Sequence, residues 1–149
     1  MKALIQRVKS ARVEVEGEVV GAIDQGLLVL LGVERDDTPA SADKLLEKIL
    51  KYRVFSDADG KMNLSLLDIQ GQLLLVSQFT LVADTRKGLR PSFSSGANPE
   101  LGQELYQYTI KQAKKTGLKV EQGRFAADMQ VHLINDGPVT FWLESNPGT

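Results

Sequence analysis

The sequence predicts an α+β fold: a single domain with a largely antiparallel, barrel-like sheet and two main helices. Three observations carry that prediction. Residues 11–16 alternate strictly, Gly26 to Val33 is a continuous apolar run, and two later segments repeat apolar residues at helical spacing. A chain of 149 residues with 42% hydrophobic content can bury one compact core and is too apolar for disorder.

The elements follow in order. Ala3 to Val8 is apolar with Gln6 and Arg7 interrupting. Ala11, Val13 and Val15 then face one side and Arg12, Glu14 and Glu16 the other, as in a half-buried strand. Gly17 marks a tight turn and Val19 to Ile23 returns. Gly26 to Val33 reads as a strand buried on both faces. Thr38-Pro39 opens a helix, a capping hydroxyl followed by proline at the first helical position. Ala42, Leu45, Leu46, Ile49 and Leu50 form its apolar face, and Glu47 and Lys51 pair on the other side. Asp57-Ala58-Asp59-Gly60 is a turn. Gln72 to Val82 reads as a second buried strand, and residues 84–97 as a functional loop. Asn98-Pro99-Glu100 starts the second helix, with Leu101, Leu105, Tyr108, Ile110 and Ala113 inward and Gly117 as its stop. Met129 to Ile134 and Val139 to Leu143 read as strands flanking the turn Asn135-Asp136-Gly137-Pro138, and residues 145–149 as a frayed tail.

Composition narrows the chemistry. The chain has no cysteine, which excludes disulfides, thiolate catalysis and cysteine-ligated zinc. Its one histidine, His132, cannot supply a multi-histidine metal site and reads as structural or surface; no metal and no cofactor are expected. Asp57 to Gly60 is not a calcium loop, because Lys61 occupies a ligand position. The longest apolar run falls far short of the ~20 residues of a membrane span, and polar residues enter too early for a signal-peptide core. The expectation is a soluble, cytoplasmic protein that does not engage membranes. A net charge of −1 draws no nucleic acid globally, so RNA contact needs a local patch. Arg86, Lys87 and Arg90, interleaved with Gly88, Pro91 and Phe93, suit phosphate binding. Lys111, Lys114, Lys115 and Lys119 fit a solvated helix end.

Ser77-Gln78-Phe79-Thr80 puts hydroxyl, amide and backbone N–H groups at the end of a buried strand. By itself this is an ordinary strand end, and Asn135 to Pro138 an ordinary hairpin turn. The whole set says more. Ala3-Leu4-Ile5-Gln6-Arg7-Val8, Gly26 to Val33, Met62-Asn63-Leu64, Ser77-Gln78-Phe79-Thr80-Leu81, Arg90-Pro91-Ser92-Phe93, Gly123-Arg124-Phe125-Ala126-Ala127-Asp128-Met129 and Asn135-Asp136-Gly137-Pro138-Val139-Thr140 stand in order along the chain. In these blocks the sequence resembles the D-aminoacyl-tRNA deacylases, which hydrolyse mischarged tRNA, from Met1 to about Leu143.

The resemblance implies a homodimer that takes the 3′ end of an aminoacyl-tRNA. It implies a cis Gly137-Pro138 bond that reaches into the partner's site, rejects the L hand and is held by Arg7. Ser77, Gln78, Phe79 and Thr80 would form the catalytic wall, and Phe125 and Met129 would line the terminal adenosine pocket. A threonine hydroxyl attacks poorly without a base, and none adjoins Thr80 in sequence. Either Thr80 attacks with help not visible in the sequence, or the vicinal ribose hydroxyl assists a water; the missing base favours the second. Exclusion by backbone carbonyls would also admit glycyl-tRNA, including mischarged glycyl-tRNA(Ala). The rival readings are a non-catalytic tRNA- or RNA-binding module and a structural assembly domain.

Overall fold

The computed structural model describes residues 1–146. The first strand, β1 (Lys2–Val15), is the spine. It pairs antiparallel with β2 (Glu18–Ile23) and β3 (Gly26–Gly32) on one side and with β8 (Gln130–Glu144) on the other. After β3 come α1 (Pro39–Lys51), the short hairpin β4 (Phe55–Ser56) and β5 (Met62–Leu64), and α2 (Leu66–Ile69). Then follow β6 (Gln72–Ser77), a 3-10 turn at Phe79–Val82, α3 (Pro99–Lys114) and β7 (Val120–Gln122).

The two-faced burial expected of the apolar runs is present. Leu27, Val29, Leu31, Leu73 and Leu75 point into a core shared with α1 and α3. Leu28, Leu74 and Val76 point the other way, against Val8, Ala11, Val13 and Ile23 inside the curl of the sheet. The curl nearly closes: a side chain at Gly21 on β2 would meet the Gln122 carbonyl of β7 at 2.5 Å. Thr38 caps α1 as expected, its side chain and Ser41 bonding each other's backbone N–H. The Asp57 carboxylate accepts from the Asp59 and Lys61 N–H groups and the Asn63 amide, so it is consumed by its turn.

Five expectations change. The sheet is mixed, because β6 runs parallel to both β3 and β7; the intervening helices act as crossovers, which parallel pairing requires. There is a third short helix, α2, capped by Ser65. The second apolar strand stops at Ser77 and turns 3-10. On α3 the fully buried tyrosine is Tyr106, whereas Tyr108 packs half-buried against the core and donates its hydroxyl to Asp43. And residues 130–144 make one strand instead of a hairpin, since both halves pair with β1 in the same direction.

The tail also differs. Ser145 is buried, with its N–H on the Met1 carbonyl and its hydroxyl on the Ser41 carbonyl. Residues 147–149 of the expected frayed tail lie outside the described residues. No helix among the described residues is long and apolar enough to cross a membrane.

Candidate active site

The site begins where β6 runs out. Gln78 still donates its N–H to the Leu31 carbonyl at 2.8 Å, extending the β3–β6 ladder past the strand. Leu81 N–H then bonds the Gln78 carbonyl and Ala83 N–H the Thr80 carbonyl, which tightens the chain into the 3-10 turn. Gly32 permits this fold-back: a Cβ there would meet Val82 Cγ1 at 2.9 Å, Leu81 Cβ at 3.0 Å and the Gln78 carbonyl at 3.3 Å. The Gln78 side-chain amide donates to the Thr80 hydroxyl.

Beside this turn lies a cavity of about 550 Å³. Ser77, Gln78 and Phe79 form one wall, the start of α3 (Asn98, Pro99, Gly102) another, and Phe125 to Met129 a third. Phe125 rests on α3 at Gly102, where an added Cβ would stand 3.5 Å from its ring. Its other neighbour is Tyr106, with ring centroids 6.1 Å apart. Tyr106 in turn donates to the Leu75 carbonyl at 2.7 Å, and burial pushes its hydroxyl up to about 12. Met129 bends its sulfur toward Gly123, where a Cβ would lie 2.8 Å away, and accepts the Arg124 N–H at 3.4 Å.

Residues 4–144 match the family model described as D-Tyr-tRNA(Tyr) deacylase. The chain belongs to that family. It is 70% identical to the D-aminoacyl-tRNA deacylase of Pseudomonas fluorescens (strain Pf0-1), over 97% of this chain and 100% of that one. It is 69% identical to the D-aminoacyl-tRNA deacylase of Stutzerimonas stutzeri (strain A1501), with the same coverage. Among solved structures, a c-Myc DNA unwinding element binding protein superposes with a TM-score of 0.93 at 43% identity, covering 98% of this chain and 99% of that chain. A probable eukaryotic D-amino acid tRNA deacylase superposes at 0.78 with 17% identity, covering 96% and 98%, which shows a shared fold.

Within this deacylase-family chain the residues singled out from sequence fall into three groups. Ser77, Gln78, Phe79, Phe125 and Met129 line the same cavity. Thr80 sits just outside its lining, exposed and tied to Gln78. Arg7, Gly137 and Pro138 lie apart from it, at a bulge in β8. Gln6 pairs with Thr140 and Val8 with Asn135, so residues 136–139 stand opposite Arg7 alone. Arg7 fills that gap, donating Nε to the Asp136 carbonyl and Nη1 to the Val54 carbonyl, both at 2.8 Å. Asn135 closes the bulge from within: its Oδ1 accepts from Val139 N–H at 2.7 Å and its Nδ2 donates to Thr140 Oγ1 at 3.0 Å. The Gly137-Pro138 bond is cis and both residues are exposed.

The basic loop divides too. Arg86 forks onto Asp84 at 3.0 and 2.8 Å, and that guanidinium holds the Asp84 carboxyl down to about 2. Lys87 and Arg90 point to solvent. His132 lies away from the cavity lining, between Arg12 (3.3 Å) and Glu14 (2.5 Å).

Sequence reasoning missed Asp128, the cavity's one ionisable lining residue, and Tyr106. The helical spacing of Tyr106 with Leu105, Thr109 and Ile110 was the available signal for the latter. Nothing local distinguishes Asp128 from other loop carboxylates.

Proposed function

We propose that this chain hydrolyses the ester of D-aminoacyl-tRNA, releasing free amino acid and tRNA as a proofreading step in the cytoplasm. The observation that carries this reading is the cavity that joins the Ser77–Phe79 wall to Phe125 and Met129, in a chain of the deacylase family. The cavity would take the terminal adenosine against Phe125 and Met129, leaving the ester at Phe79 and Thr80. Backbone N–H groups at the strand-to-3-10 transition are suited to the oxyanion, being fixed before the reaction starts.

The Thr80 hydroxyl has an amide as its partner, and an amide is no base. That supports assistance by the vicinal ribose hydroxyl instead of attack by Thr80. Asp128 is the candidate rival base. Expected outcomes are that Thr80→Ala and Asp128→Asn keep kcat within about tenfold, while a substrate lacking the vicinal hydroxyl loses about 100-fold or more. A dead Asp128→Asn enzyme, with the deoxy substrate cleaved normally by wild type, would replace the RNA with the carboxylate.

The active unit is a homodimer in this reading. Gly137 and Pro138 are exposed and stand off their own chain's cavity, which suits a wall supplied to a second copy. The β8 strand offers an edge for that copy, with Ile134 and Trp142 exposed along it. Carbonyls of the bulge would crowd the α-carbon and exclude an L side chain. Glycine presents nothing to exclude, so glycyl-tRNA is a substrate. The test is release of amino acid from D-, L- and glycyl-tRNA. Cleavage of the first and last with the L form intact is expected, and a resistant glycyl-tRNA beside cleaved D forms overturns pure exclusion.

A further inference from the structure

Two aromatic rings stand at the rim of the cavity and belong to neither core cluster. Phe79 is 65% exposed and Phe93 44%. Their centroids are 5.2 Å apart with planes at 51°. Phe79 contributes to the cavity wall, so the pair continues the cavity outward. The loop under Phe93 is fixed: Asp84 and Ser92 exchange backbone bonds at 2.7 and 3.0 Å, and Gly96 N–H bonds the Phe93 carbonyl at 3.1 Å. The same loop, residues 84–93, holds three cations against the one carboxylate Asp84. Arg86 takes that carboxylate, which leaves Lys87 and Arg90 without a carboxylate partner among the described residues.

Exposed rings beside unpaired cations are what single-stranded nucleic acid uses: bases stack on the rings, and phosphates follow the charges. We propose that Phe79 and Phe93 form a stacking platform for the nucleotide immediately 5′ to the terminal adenosine, with Lys87 and Arg90 on the adjoining phosphates. The proposal rests on the reading that the cavity holds that adenosine. The charge of the loop favours a polyanion over a second protein copy as the occupant. Phe79 then serves twice, its backbone toward the ester and its ring toward the strand.

The experiment compares three substrates: D-aminoacyl-tRNA, the minimal D-aminoacyl-adenosine, and a D-aminoacyl-tRNA that is abasic at the nucleotide before the terminal adenosine. Phe93→Ala is expected to raise KM for the intact tRNA about tenfold and to leave D-aminoacyl-adenosine unchanged. Phe93→Tyr, which keeps a ring, retains the wild-type KM. The abasic tRNA costs wild type the same factor and costs Phe93→Ala nothing further. An unchanged KM for the intact tRNA overturns the platform, as does an equal loss on D-aminoacyl-adenosine. A change of oligomeric state in sedimentation that accompanies the loss assigns the pair to a protein contact instead. A wild-type enzyme inert toward the intact tRNA and D-aminoacyl-adenosine sinks the deacylase reading itself, a different failure.

Discussion

The end of β6 and the bulge of β8 are both irregular, yet they are held in opposite ways. At Ser77–Thr80 the backbone holds the chain: the β3–β6 ladder runs on through Gln78, and the 3-10 bonds follow at once. At residues 136–139 the ladder lapses, and the side chains of Arg7 and Asn135 hold the chain instead. A surface held by its own backbone is vulnerable to crowding, and one held by side chains is vulnerable to their deletion.

The largest expected effect tests the first half of that contrast. Gly32→Ala forces a methyl against Val82, Leu81 and the Gln78 carbonyl. It should cut turnover of D-aminoacyl-tRNA about 100-fold and cost about 1–3 kcal/mol of stability. The ratio of D to L turnover should stay put; a changed ratio in kcat/KM assays would mean that the two regions are not separable. Arg7→Ala tests the second half. It strands the Asp136 and Val54 carbonyls and should lower the D-to-L ratio about tenfold, with D turnover falling less. Losing bonds to a charged group costs about 1.5–3 kcal/mol, so thermal unfolding should start several degrees earlier. An unaltered ratio would detach Arg7 from selection.

Tyr106→Phe is the smallest change. It removes the bond to the Leu75 carbonyl beneath the β6 wall, worth about 1 kcal/mol. Its pH signature is more specific. The folded state holds the Tyr106 proton up to about 12 whereas the unfolded chain releases it near 10. The folded state therefore binds the extra proton between those values, and stability falls as pH rises through that window. Denaturant midpoints of wild type should decline there, and the Phe variant should decline less. Parallel curves would show that Tyr106 is not the group responsible.

The sequence exposed what is local. The alternation of Ala11, Val13 and Val15 reports one buried face, and Thr38-Pro39 reports a helix start, because both signals lie within a few residues. It hid what depends on distant partners. Phe79, Leu81 and Val82 are as apolar as a strand, and only the approach to Gly32 turns them into a 3-10 helix. Asn135 to Pro138 is as rich in turn formers as a hairpin, and only pairing with β1 on both flanks makes it a bulge. The meeting of Ser77 with Phe125 and Met129 follows from the parallel β3–β6–β7 order, which no periodicity encodes. Their grouping was legible through the family motifs alone.

The bulge of β8 has one more consequence. It is spliced into the middle of a ladder, with paired strand on both sides, and so has no free end about which to pivot. In the proposed reading, where this bulge is the wall that excludes the L hand, a substrate of the wrong hand would meet a doorstop and not a door. Selection of that kind needs no closing step, and the discrimination ratio should be indifferent to solvent viscosity even where product release is not.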